Sequence, residues 1–162
     1  MSGLRWLVPA AAVLAVASLA AACGNDDDDD ATPTLPASEV EVTLFFPRNT
    51  ATGFEFIPAV RTVAAGTAGP QSLVALLLAG PTAEEESSLA VNNPFPADVE
   101  VLSLEVAGGK ATVDFSAQLL DYGGGSANVL AITGCISRTI QEATGASVVV
   151  ILVEGEPDQL QP

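Results

Sequence analysis

A run of five aspartates at residues 26–30 most narrows what this chain can fold into. The run stands in a segment, residues 24–38, that also holds two prolines and few apolar residues. Because such a segment cannot bury enough apolar surface to offset its ordering entropy, we expect a disordered spacer there. Calcium binding by the aspartates is the alternative, although a flexible run lacks the fixed geometry and turn-forming glycine of a calcium loop. The sequence therefore leaves residues 39–158, followed by a tail at 159–162, to form one folded domain.

The residues before the spacer have the layout of a secretory signal peptide. Arg5 supplies a positive charge, residues 6–22 form an apolar core, and small residues precede Cys23. A cysteine directly after small residues resembles the lipobox of bacterial lipoproteins, which implies cleavage before Cys23 and a lipid on its sulfur. The sequence thus predicts a signal peptide at 1–22 and a lipidated Cys23 that begins an acidic tether at 23–38. An uncleaved anchor and a secreted protein without lipid are the alternatives, since the apolar run approaches the ~20 residues of a membrane span.

Composition narrows the chemistry that the chain can perform. Its 5 Lys+Arg against 20 Asp+Glu give a net charge of −15, so we expect no nucleic-acid partner. The chain has no histidine and two cysteines, so the usual groups for acid–base catalysis and for zinc binding are missing. We therefore expect no enzyme activity, and we assign no catalytic, cofactor-binding or metal-binding residue.

Cys135, the second cysteine, falls inside an apolar helical pattern. If Cys23 is acylated, Cys135 has no partner for an intramolecular disulfide. Because free cysteine is among the most buried residue types, we expect Cys135 to belong to the core rather than to act as a nucleophile.

Four strands are predicted from alternation and from turn residues. Residues 40–46 begin with apolar residues that alternate with polar ones, and this strand ends at Pro47. Residues 54–64 contain Pro58, so they form an edge strand or an irregular one. Gly108-Gly109 between two β-rich runs predicts a hairpin of residues 99–106 and 110–115. Its side chains Leu102, Leu104, Val106, Val113 and Phe115 are expected to meet the same helices.

A fifth strand and two main helices complete the predicted domain. Residues 148–153 are all apolar, which is typical of a central strand. One helix spans residues 70–79, and a longer one runs to about Thr144 with Gly145 as its C-cap and with small residues for close packing at Ala127, Ala131 and Gly134. The predicted class is an α/β fold of α+β type: a small mixed sheet with two main helices packed on it, in the order β-β-α-β-β-α-β.

Three polar patterns are candidates for function, and each has a structural explanation. Residues 84–86, all glutamates, follow Thr82 at capping-box spacing and favour the first turn of a short helix. The glycine-rich residues 123–125 could bind an anion at a helix start, but no lysine follows, so Ser126 is interpreted as an N-cap. Asp114 with Glu100 or Asp121 could form the carboxylate pair of a glycoside hydrolase, but Asp114 is expected to point from its strand to solvent.

Several stretches, in order and covering roughly residues 40–158, resemble the GerMN domain of sporulation and germination proteins and of bacterial envelope lipoproteins. The resemblance implies a small α/β fold, a non-catalytic envelope domain and a role in protein assembly. It brings no catalytic motif, so no site residue is carried over from the family. The matching stretches are residues 42–46 (VTLFF), 77–82 (LLAGPT), 101–103 (VLS) with 111–116 (ATVDFS), and 151–157 (ILVEGEP).

These features together predict a lipoprotein on the extracytoplasmic face of the cell membrane. We expect a non-catalytic protein-interaction module in envelope organisation or assembly, attached to the membrane through the lipid on Cys23 and bound to an envelope protein. A domain that binds a small molecule or glycan is the alternative. Against it, the folded segment has no tryptophan and one tyrosine, Tyr122, to serve as an aromatic platform.

Mass spectrometry of the membrane-extracted protein tests the predicted anchor. The expected N-terminal peptide begins at Cys23 and carries the mass of a diacylglycerol thioether, because the apolar run and the small residues before Cys23 direct cleavage there. A Cys23→Ala variant, which lacks the sulfur, is expected to lose that mass. An N-terminus other than lipid-modified Cys23 in the natural chain would contradict the prediction.

Overall fold

The computed structural model describes residues 38–157, 159 and 160. The predicted signal peptide, Cys23 and the aspartate run lie outside the described residues. Within these residues, the α-helices are α1 (Pro70–Leu78), α2 (Ala83–Leu89) and α3 (Gly125–Thr144), and 3₁₀ turns lie at Ala65–Thr67 and Ala117–Leu120. The strands of the described chain are β1 (Glu39–Thr50), β2 (Gly53–Ala64), β3 (Val101–Ala107), β4 (Lys110–Phe115), β5 (Val148–Val153) and β6 (Glu156–Pro157).

The strands form two sheets rather than one. β1 and β2 make a long antiparallel hairpin, paired from Glu39 opposite Ala64 to Thr50 opposite Gly53. The second sheet has the order β3-β4-β5-β6 and is mixed, because β4 and β5 run parallel while the other pairs are antiparallel. The predicted α/β class is confirmed. The mixed sheet contains only strands β3 to β6, and β1 and β2 form a separate sheet.

The hairpin accommodates Pro58 without losing a bond between its strands. Pro58 lies opposite Phe45, whose backbone N–H donates to Thr139 Oγ1 of α3 at 3.1 Å. Opposed residues in an antiparallel pair exchange either both backbone bonds or neither, so this pair is one that exchanges none. The missing N–H of proline is therefore not required, and β2 continues regularly to Ala64 as an edge strand.

Helix α3 packs against both sheets. Ile132, Ile136 and Ile140 are fully buried in the core with Val113 of β4. On the hairpin side, the ring of Phe56 lies against Gly134, where a Cβ atom would overlap the tip of the ring. The predicted close approach is confirmed at Gly134, whereas Ala127 is exposed and the expectation of close packing there was wrong.

Cys135 lies fully buried in the same core, as predicted. Burial raises the pKa of its thiol to about 12, against a smaller opposing effect of the nearby Arg138 charge. Because the thiolate is the nucleophilic form, Cys135 is unreactive at neutral pH.

The β3–β4 hairpin forms at Gly108-Gly109 as predicted, but two of the side chains expected to meet the helices do not. Leu102 and Val106 are each 45% exposed, whereas Leu104 is half-buried opposite Val113. The pairing shifts by one residue between Val101 and Ser103, and this bulge changes the alternation at Leu102. The expectation was wrong for Leu102 because of this bulge. It was also wrong for Val106, which lies opposite the buried Ala111 near the end of β3 but stays exposed.

An ion pair joins the hairpin to the start of α2. Arg61 of β2 donates to both carboxylate oxygens of Glu85 at 2.8 and 2.6 Å and to the backbone oxygen of Gly80 at 2.9 Å. The two side chains are 13% and 14% exposed. Glu85 also closes the predicted capping box with Thr82, which is confirmed. The Arg61 hydrogen bond lowers the pKa of Glu85.

Replacing Gly134 is expected to destabilise the domain. Alanine normally raises helix stability relative to glycine by about 1 kcal/mol, yet here its Cβ has to displace the Phe56 ring. We expect Gly134→Ala to lower the free energy of unfolding in urea by about 1–3 kcal/mol. Phe56→Ala removes the ring that the new Cβ would meet, so in the double variant alanine at 134 should give its normal gain in helix stability. The effects of the two substitutions on the free energy of unfolding should therefore be strongly non-additive. Additive effects would show that the Phe56 contact does not set the helix position.

Breaking the Arg61–Glu85 pair is expected to cost stability in a pH-dependent way. The pKa of Glu85 falls below its ordinary value of 4.5 in the folded chain, so its contribution is full above pH 4.5 and is lost as pH falls through the lowered pKa. We expect Glu85→Gln to lower the free energy of unfolding by about 2 kcal/mol at pH 7. This value lies between the costs of breaking exposed ion pairs and of breaking buried ones.

Urea titrations between pH 7 and pH 2.5 measure this effect, with Glu86→Gln as the control because Glu86 is exposed and forms no ion pair in the described chain. The gap between wild type and Glu85→Gln should narrow with falling pH. A gap that stays constant would contradict the assigned cause.

Candidate functional site

Within the described residues, strand β5 leaves most of one edge unpaired. Its other edge pairs with β4 along the full length, from Lys110 opposite Val148 to Phe115 opposite Val153. On the free side, β6 pairs only with Leu152 and Val153. A turn at Glu154-Gly155 reverses the chain, and Pro157, which has no N–H to donate, ends the short β6.

The prediction of a central strand was therefore wrong for residues 148–151. Of the six residues of β5, only Val153 is buried, and Val148 is 51% exposed. Helix α3 covers the inner face of β5, while Val148, Val150 and Leu152 share the outer face with the polar side chains of β4. Contact with α3 therefore accounts for the apolar side chains on the inner face of β5, and not for those on the outer face.

The open edge of β5 lacks the features that normally prevent strand pairing. Charged side chains, prolines and bulges protect edge strands from unwanted partners. β1 and β2 carry charges and proline, and β3 carries Glu105 and the bulge beside Val101. Within residues 38–157, β5 is the only strand with none of these features. Its edge is available for an additional strand.

A groove runs between this edge and α3, and we call it the β5 groove. Thr133 and Ser137 of α3 form one wall, Val149, Val150 and Ile151 form the other, and Leu160 of the tail lies at the side. Its volume is about 330 Å³. Leu130, one helical turn before Thr133, is 62% exposed and extends the apolar surface.

The chemistry of the β5 groove suits binding rather than catalysis. Its lining provides unpaired backbone groups, two hydroxyl groups and apolar side chains, and no side chain in the lining is titratable. Backbone hydrogen bonds can hold an extended segment, while the apolar pockets select alternate side chains of that segment. This arrangement has the backbone groups and apolar surface that pairing with an extended peptide segment requires.

The carboxylates considered from sequence lie outside the lining of the β5 groove, and the Asp114 carboxylate has a structural role. Asp114 Oδ1 accepts a hydrogen bond from the Gly155 N–H at 3.0 Å and fixes the turn after β5. The backbone of Glu100 accepts a hydrogen bond from the Ser116 N–H at 3.0 Å, and its own N–H donates to Ser116 Oγ at 3.0 Å. Asp121 is exposed after the 3₁₀ turn. In the part of the chain that the structure describes, no three His, Cys, Asp or Glu residues are grouped to hold a metal ion.

The start of α3 differs from the prediction that Ser126 is its N-cap. Gly124 is the cap, with φ of 87°, and it makes no side-chain hydrogen bond. Gly125, with φ of 62°, is the first helical residue, so Ser126 lies exposed within the first turn. The left-handed turn that glycine permits starts the helix earlier than a serine cap would.

The fold is shared with structures of a sporulation protein. The tandem GerMN domains of the sporulation protein GerM from Bacillus subtilis are 15% identical and superpose with a TM-score of 0.60, covering 82% of this chain and 44% of theirs. The first GerMN domain of the same protein gives 17% identity and a TM-score of 0.56, over 73% and 85% of the two chains. This chain thus spans less than half of the tandem structure. No curated protein matches it in sequence.

The family follows from a sequence match to residues 43–159. The matching family is Germane, described as sporulation and spore germination. The chain belongs to this family, and its resemblance to the GerMN domain is confirmed.

Sequence reasoning missed the open edge of β5, although one signal for it was present. Pro157 comes four residues after Val153 and has no N–H to donate, so it interrupts a strand that returns along β5. Among the described helices, none has the length and hydropathy that crossing a membrane requires.

Proposed function

We propose that this chain is a membrane-tethered lipoprotein on the extracytoplasmic face of the cell membrane, where it acts as a non-catalytic protein-interaction module in envelope organisation or assembly. The open edge of β5 beside α3 is the observation that carries the interaction role. The small residues before Cys23 support the tether, and the membership in a sporulation-related family is consistent with assembly work at the envelope.

The partner in this proposal contributes an extended segment to the β5 edge. The segment adds a strand beside residues 148–151, exchanges backbone hydrogen bonds with them and places alternate side chains into the β5 groove. Pairing of this kind depends on backbone groups, so it tolerates varied partner sequences. Residues that point toward Thr133 and Ser137 gain hydroxyl partners.

Charge favours a basic partner over a second copy of this chain. Residues 1–38 hold one cation and five of the anions, which leaves the rest of the chain at −11. Two of its four cations, Arg48 and Arg61, are paired with Glu55 and Glu85. Two such domains repel each other, whereas a segment that carries lysine or arginine is attracted.

In this proposal, the lipid on Cys23 attaches the module to the membrane, and the acidic tether sets its distance from the lipid surface. A lipid chain holds the protein at the membrane, and the aspartate run keeps the domain away from an anionic lipid surface. The domain is then held where it can meet proteins near the membrane.

Crosslinking in cells tests this proposal with one matched pair of variants. Val148→Lys places a charge on the open β5 edge, and Val106→Lys places the same charge on β3 at the opposite edge of the sheet. Both positions are about half-exposed valines, so both variants are expected to fold. Capture of recurrent envelope proteins should be lost with Val148→Lys, kept with Val106→Lys and reduced in Cys23→Ala, which removes membrane placement.

Two results would contradict the proposal. If Val148→Lys captures the same proteins as the natural chain, the β5 edge is not the binding site. If light scattering shows a dimer that Val148→Lys dissociates, the edge binds a second copy and not an envelope partner.

A further inference from the structure

A second groove lies beside the first turns of α3, and we call it the asparagine groove. It separates the tip of the β1–β2 hairpin from the first half of α3 and has a volume of about 370 Å³. That volume falls within the usual range for small-molecule sites, about 300–1,000 Å³. Its lining includes Asn49, Phe54, Asn92, Asn128, Ala127 and Ala131.

The asparagine groove exists because α3 carries small side chains where the hairpin tip passes it. Asn49 and Phe54 are opposite each other in the register, as are Pro47 and Phe56, so all four share the face that turns toward α3. Phe56 fills the space at Gly134. Nearer the start of α3, Ala131 and Ala127 are too short to reach Asn49 and Phe54, and the space between them stays open.

The groove presents side-chain amides whose hydrogen-bonding capacity is only partly used within the described residues. Asn128 Nδ2 donates to the backbone oxygen of Pro94 at 3.3 Å, which leaves its carbonyl oxygen as an acceptor. The side chains of Asn49 and Asn92 are exposed, and neither makes a hydrogen bond within residues 38–157. The Asn92 backbone N–H donates to Pro47 at 2.9 Å and holds the loop against β1. Each free amide offers two donors and an acceptor.

The same lining holds an aromatic ring and no charge. Phe54 is half-buried, and its ring stands at 84° to that of Phe56 with centroids 5.4 Å apart. None of the lining side chains is ionisable, so a charged ligand finds no counterion there. The net charge of −11 on residues 39–162 further repels anions.

We propose that the asparagine groove binds a neutral saccharide. Sugar hydroxyls donate and accept hydrogen bonds, as amides do, and the apolar face of a sugar ring packs against an aromatic side chain. Asn49, Asn92 and Asn128 bind the hydroxyls, and Phe54 supports the ring. The site is separate from the β5 groove, so it does not depend on the proposed protein partner.

NMR titration of the full chain in sugar-free zwitterionic detergent tests this proposal. The probes are two neutral trisaccharides, maltotriose and triacetylchitotriose, and one charged trisaccharide, trigalacturonate. At millimolar concentration, at least one neutral probe should shift the side-chain amide signals of Asn49, Asn92 and Asn128, and trigalacturonate should not.

Two alanines of α3 provide a matched pair of variants. Ala127→Leu fills the groove from an exposed position and should weaken binding about tenfold or more. Ala143→Leu, also exposed and on the same helix, lies outside the groove and should leave binding unchanged. No shift with either neutral probe, equal binding of trigalacturonate, or binding that survives Ala127→Leu would each overturn the proposal.

Discussion

Helix α3 has to cover the apolar faces of two sheets at once, and the rest of the fold depends on this packing. Ile132 and Ile136 fill the core beneath the four-stranded sheet. On the hairpin side, Gly134 admits the Phe56 ring and Thr139 accepts the backbone N–H of Phe45. A larger residue at Gly134 would push the hairpin away. A residue without a hydroxyl group at Thr139 would leave a buried donor unpaired, which is costly.

The two grooves follow from how α3 meets its neighbours. At the start of the helix, Ala127 and Ala131 leave space under the hairpin tip. Beside β5, α3 covers the inner face while the short β6 covers little of the edge. The domain thus holds its core with one helix and leaves two recesses along that helix, one lined by amides and one by backbone edge groups. The proposed interaction role rests on the open edge, because β5 is the one strand of the described chain with no charge, proline or bulge to exclude a partner.

The sequence predicted the features that depend on local patterns. The Gly108-Gly109 turn, the capping box of Thr82 and Glu85, and the Gly145 C-cap each follow from a few neighbouring residues, and all are confirmed. The division into two sheets, the edge position of β5 and the Arg61–Glu85 pair depend on residues that are distant in sequence, and periodicity does not specify such partners. Apolar residues at 148–153 predict a buried strand whether one face or two are covered.

Hydrogen exchange of the chain with a captured partner tests the central claim most directly. The account predicts that backbone amides within residues 148–151 exchange more slowly when the partner is bound, because an added strand accepts their hydrogen bonds. Amides of β3, at the protected edge, should exchange at unchanged rates. Protection that appears in β3 or the hairpin, with none in β5, would contradict the claim that the open β5 edge is the binding site.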